Sequence, residues 1–129
     1  VAFSSCDHRS DADFEPLRPY VRSITRKVLD NGLPQGVCLN VNFPVASEFR
    51  GVRVCRMAKG TWHHECVKMR HPRGYDYYWM TGQYTNDEPE ADDTDNWAIT
   101  HGYVAITPTR IDVTDYDFLN TRAADFENV

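Results

Sequence analysis

Apolar positions recur along this chain with the spacings of strands and helices, and these predict an ordered series of elements. Val1-Ala2-Phe3-Ser4-Ser5 predicts the end of a strand running into a polar loop, and with no methionine first the chain is expected to be a fragment. From Asp13, Leu17, Val21, Ile24 and Val28 recur at intervals of four, three and four, so a helix over about 14–31 turns one stripe to a core. Ser10, Asp11 and Asp13 offer N-cap oxygens, Pro16 suits a first turn, and Asn31-Gly32 before Pro34 stops the helix. Pro19 removes a backbone donor one turn in and predicts a tightened or bent start.

Leu39, Val41 and Phe43 alternate with Cys38, Asn40 and Asn42, which predicts a strand over about 37–43 closed by Pro44. A second alternating run predicts a strand over about 51–58, and Lys59-Gly60 is a turn signal. Trp62 to Met69 and Tyr75 to Gly82 flank His71-Pro72-Arg73-Gly74 and predict the two long strands of a β-hairpin within 61–84. Tyr75, Tyr77, Tyr78, Trp79 and Tyr84 exceed what one buried face needs, so a second subunit is expected to cover part of them. Over 92–129 the prediction is a short helix from Asn96 to His101 capped by Asp93-Thr94-Asp95, a strand Tyr103–Pro108, and a polar tail with scattered apolar anchors. The order of elements reads as α/β with a β-rich extension.

Composition narrows the function classes. With 129 residues, 41% of them hydrophobic, there is apolar material for one domain core. A charged fraction of 26% and a mean hydropathy of -0.59, with no long apolar run, exclude a membrane-spanning helix. Net charge -5 argues against wrapping nucleic acid through its phosphates. No secretory signal pattern is present, and a cytoplasmic location is the expectation. Four cysteines, Cys6, Cys38, Cys55 and Cys66, suffice in number for two disulfides but lack a CxxC pair, and reduced thiols are the expected state.

Few residue groups carry chemistry. His63, His64, Cys66 and His71 have metal-ligand side chains, but strand alternation sends His63 and His64 to opposite faces, so solvated hairpin histidines are expected. The acidic run from Asp87 to Asp95 lacks the glycine of a calcium loop and is expected to be solvated. Ser4, Ser5, Cys6, Asp7 and His8 include the residue types of a nucleophilic triad, yet such triads assemble from separate segments. The Asn40 and Asn42 amides are free either to line a cleft or to satisfy neighbouring backbone.

Leu39-Asn40-Val41-Asn42-Phe43-Pro44, then Arg70-His71-Pro72-Arg73-Gly74 leading into Tyr77-Tyr78-Trp79, then Asp93-Thr94-Asp95, then Gly102-Tyr103-Val104-Ala105-Ile106-Thr107-Pro108 occur in one order after Val1-Ala2-Phe3-Ser4. That order resembles the C-terminal half of the SurE family of survival-protein 5'/3'-nucleotidases and departs from it at Thr109, where the family usually has leucine. The resemblance implies the C-terminal part of a Rossmann-like fold with a protruding β-hairpin arm. It also implies a phosphohydrolase acting on nucleoside monophosphates with a divalent metal, Mg or Mn. The family's metal-holding aspartates, serine and asparagine belong to the N-terminal part, and Asp92-Asp93 lacks the context to stand for them. The chain is therefore expected to hold no metal, to have no catalytic residues, and to act as scaffold. Asn40, Asn42 and Asp95 are the candidates for a substrate-cleft rim, and Trp62, Tyr77, Tyr78 and Trp79 for a homo-dimer or tetramer contact through the arm. The alternative is a free-standing, non-catalytic β-rich binding module that uses the aromatic strand with Arg70 and Arg73.

Overall fold

The computed structural model describes residues 1–127, so residues 128–129 of the expected tail lie outside the described ones. Four strands form the main sheet: β1 (Ala2–Ser5), β2 (Val37–Phe43), β3 (Val52–Val54) and β8 (Val104–Arg110), in the order β1-β2-β8-β3. β1 and β2 are parallel with Phe3 opposite Val41, and β2 and β8 are antiparallel with Val41 opposite Ile106. β3 runs parallel to β8 at the far edge. The β1–β2 crossover carries helix α1 (Arg18–Asn31), giving a β-α-β unit.

The two-residue strand period divides the sheet into unlike faces. Val41, Phe43, Val104 and Ile106 are buried with Ile24 of α1, and Phe3, Leu17, Tyr20, Val21, Leu39 and Phe49 close around them. Ala105 points the other way and packs with Cys55 and Ala98 of the short helix α2 (Asp95–Thr100). Thr94 is fully buried at the start of α2, where its hydroxyl accepts from the Trp97 amide at 3.2 Å and donates to the Ala91 carbonyl at 2.9 Å. At the β3 edge Arg53 lies over the Trp97 ring at 5.1 Å and Arg50 over Tyr103 at 5.1 Å, which covers an otherwise open side.

Several expected boundaries shift for identifiable reasons. The helix begins at Arg18, not near 14, because residues Glu15–Leu17 form a 3-10 turn and Pro19 occupies the first turn, where no amide is missed. No side chain caps it; Asp13 accepts from the Glu15 amide, which ties the preceding turn. The strand expected over 51–58 is only Val52–Val54, since the chain leaves β8 after Cys55 and Arg56 bridges to Thr94. The polar tail contains helix α3 (Tyr116–Arg122), started by Asp115 accepting from the Phe118 amide at 2.9 Å. No helix among the described residues is long and apolar enough to cross a membrane.

The hairpin is two short ribbons in series. β4 (Gly60–His63) pairs with β7 (Gln83–Asn86), and β5 (Cys66–Arg70) pairs with β6 (Asp76–Met80). Between them His64 has φ 54 and Gly82 φ 148, so the ladder bends where a left-handed residue interrupts each strand. All four cysteines are free thiols, with Cys55 buried and Cys66 exposed.

Candidate functional site

The base of the arm is tied to the α/β body by one guanidinium. Arg56 donates to Glu88 and, at 2.8 Å, to Asp93, while Glu88 also accepts from the Lys59 amide at 2.8 Å. Those contacts hold the Glu88 carboxyl well below the usual range, at about 2, with the Arg56 side-chain hydrogen bond as the first cause. The backbone closes the same joint: Arg56 donates to the Asp93 carbonyl, and Asp95 donates to the Arg56 carbonyl at 2.9 Å. Both feet of the arm therefore leave the body from fixed points.

Beside this joint lies a groove of about 390 Å³ between the arm and α2, walled by Met57, Trp62, Tyr84, Asp95, Asn96 and Ile99. It brings two expected residues together, Asp95 and Trp62, which the sequence assigned to separate roles. Asp95 Oδ1 accepts from the Ala58 amide at 2.9 Å and the Asn96 amide at 2.8 Å, so its carboxylate is aimed by backbone. Trp62 and Tyr84 are cross-strand partners with ring centroids 5.5 Å apart. Tyr84 is one of the surplus aromatics of the sequence and Met57 carries no sequence signal, but the hairpin register alone pairs Tyr84 with Trp62.

Asn40 and Asn42 lie elsewhere, on β2, facing away from α1. Asn42 sits opposite Ser4 and Ala105, and Asn40 opposite Ala2 and Thr107. Both are half-buried, and Thr107 beside Asn40 is buried with a hydroxyl that has no hydrogen-bond partner among the described residues. The three rim candidates thus fall at two places on the molecule.

On the outer ribbon, pairing places Val67 opposite Trp79 and Met69 opposite Tyr77, which makes one face largely apolar. Tyr78 is opposite Lys68 on the other face, where Lys68 meets Asp76 at 2.7 Å. The four expected contact residues are therefore split: Tyr77 and Trp79 share the apolar face, Tyr78 the charged one, and Trp62 the groove. His71, at the turn, stacks on Tyr75 at 4.4 Å and accepts from the Arg73 amide, with no second ligand beside it. Among the described residues no three His, Cys, Asp or Glu side chains gather as a metal site. Ser4 and Ser5 end β1, the Ser5 hydroxyl accepts from the Asp7 amide at 3.1 Å, and the Asp7 carboxylate pairs with Arg9 at 2.7 Å.

The model of the family described as survival protein SurE matches residues 1–64. The chain is 53% identical over 120 residues to a protein named 5'-nucleotidase SurE from Phocaeicola vulgatus, covering 93% of this chain and 47% of that one. It is 37% identical over 129 residues to 5'-nucleotidase SurE 1 of Thermus thermophilus, covering 100% of this chain and 50% of that one. The crystal structure of the SurE protein from Aquifex aeolicus superposes with a TM-score of 0.69 at 31% identity, over 95% of this chain and 50% of that one. The chain spans about half the length of the curated relatives it matches.

Proposed function

This chain belongs to the SurE family, and from that premise we propose that it is the C-terminal portion of a divalent-metal-dependent 5'/3'-nucleotidase that hydrolyses nucleoside monophosphates to nucleoside and phosphate. The observation that carries the reading is the lopsided alignment: 93% of this chain matches a relative named 5'-nucleotidase, of which it accounts for only 47%. Its own part is structural. The sheet with α1 supplies the last portion of the α/β layer, Asn40 and Asn42 on β2 stand at the rim of a substrate cleft with Asp95 apart from them in the groove beside the arm, and the arm joins copies into a dimer or tetramer in the cytoplasm.

The Mg or Mn of such a reaction does not fit here. Among the described residues the donors are scattered or already paired with arginine, as Glu88 and Asp93 are, so no step of hydrolysis is assigned to them. The chain by itself, given magnesium or manganese and a nucleoside monophosphate, is expected to release no phosphate. Turnover at the rate of an intact enzyme overturns the reading.

A further inference from the structure

We propose that the groove between the arm and α2 is a nucleoside site, in which an aromatic base lies on Trp62 and a vicinal diol donates to Asp95. The inference rests on the nucleotidase reading for the class of ligand, and on the groove itself for the place. Its volume of about 390 Å³ is within the range of small-molecule sites, roughly 300–1,000 Å³.

The wall is preformed. A Cβ on Gly82 would come within 2.8 Å of the Trp62 ring, and one on Gly60 would overlap the Tyr84 ring, so each glycine lets an aromatic approach the backbone closely. Trp62 nevertheless remains 55% exposed, leaving ring surface for a ligand. Stacking on such a face tolerates any base, because every base has a π-face.

Beside Met57 and Ile99, the groove is also lined by two polar side chains, Asp95 and Asn96. Asp95 spends Oδ1 on two backbone amides, while Oδ2 has no hydrogen-bond partner among the described residues. Asn96 Oδ1 accepts from Asn86 at 3.1 Å, which leaves its amide hydrogens free to donate. An aimed carboxylate suits two adjacent hydroxyls, and a neighbouring amide suits a base or sugar oxygen. Glu88 and Asp87 stand nearby, and with Asp95 they push the Tyr84 phenol up, behind burial as the first cause. Arg56 offsets the charge of Glu88, whereas Asp87 and Asp95 have no ion-pair partner among the described residues; these two carboxylates disfavour a phosphate, so the nucleoside end of the ligand belongs here and the phosphate points out of the groove.

The test titrates the folded chain with adenosine, read by tryptophan fluorescence and calorimetry, beside ribose 5-phosphate and 2',3'-dideoxyadenosine. Adenosine is expected to bind saturably, with both other compounds weaker. Trp62→Leu should weaken adenosine roughly 5- to 100-fold, as loss of one base stack does, whereas Trp62→Phe keeps most of the affinity. Asp95→Asn should weaken adenosine but leave dideoxyadenosine unchanged, a pattern that misfolding does not produce. Met80→Ala, on the outer ribbon, should change nothing. No saturable binding, or binding indifferent to both Trp62→Leu and Asp95→Asn, overturns the proposal. If a longer protein with upstream residues hydrolyses nucleotides while adenosine ignores these variants, the groove assignment falls and the nucleotidase reading stands. If adenosine binding follows the variants but the longer protein hydrolyses nothing, the nucleotidase reading falls alone.

Discussion

Arg56 is the side chain on which the joint of the arm depends, because it meets Glu88 and Asp93 from a position the backbone has already fixed. Glu88 titrates at about 2 in the fold against an ordinary value of 4.5. A carboxylate with a depressed folded value contributes stability above its unfolded value and loses it as pH falls through the folded one. Stability is therefore expected to drop between about pH 5 and pH 2, and Glu88→Gln should flatten that part of a melting-temperature profile. The pair is solvent-exposed, so added salt should shrink the difference between the two proteins; a profile unchanged by the substitution would remove Glu88 from the account. At this scale the sequence showed the charges and not their pairing. Arg56 and Glu88 are separated by the whole arm, and only its register returns one to the other.

At the scale of elements, α1 and β2 formed from local pattern, whereas the arm needed its glycines. Gly82 has φ 148 with the Trp62 ring 2.8 Å from a would-be Cβ, so an alanine there meets both backbone strain and a clash. Gly82→Ala is expected to weaken the β4–β7 ribbon by about 1–3 kcal/mol. Native-state amide exchange should then accelerate roughly tenfold or more from Thr61 to Asn86 across that ladder, with the β2–β8 amides unchanged. Equal acceleration in both sheets would mean that the arm and the body open as one unit. The helix start illustrates the same dependence: the periodicity of Leu17, Val21 and Ile24 was legible, but Pro19 decided which turn became α-helix and which a 3-10 turn.

For the whole molecule, the described elements split into a packed α/β body and an arm whose strands contact mainly each other. A two-stranded ribbon is marginal alone, and Val67, Met69 and Trp79 are 45%, 44% and 61% exposed on one face. Covering that face with a second copy is the proposed use of the arm. Replacing Met69 and Trp79 together with serine should shift the assembly to smaller species by light scattering, while Tyr78→Ser, on the charged face, should leave its size unchanged. An unchanged size in the double variant would count against the arm as the contact. The sequence by itself determined the α/β order of elements, the α1 stripe, the alternation of β2, the strand that became β8, and the family resemblance, because each of these depends on neighbours a few residues apart. Only the tertiary structure decided that Asp95 joins Trp62 in one groove, that Asn40 and Asn42 lie elsewhere, and that Tyr78 turns from Trp79. Those relations depend on strand register and on where the chain leaves the sheet, which are set by contacts between residues far apart in sequence.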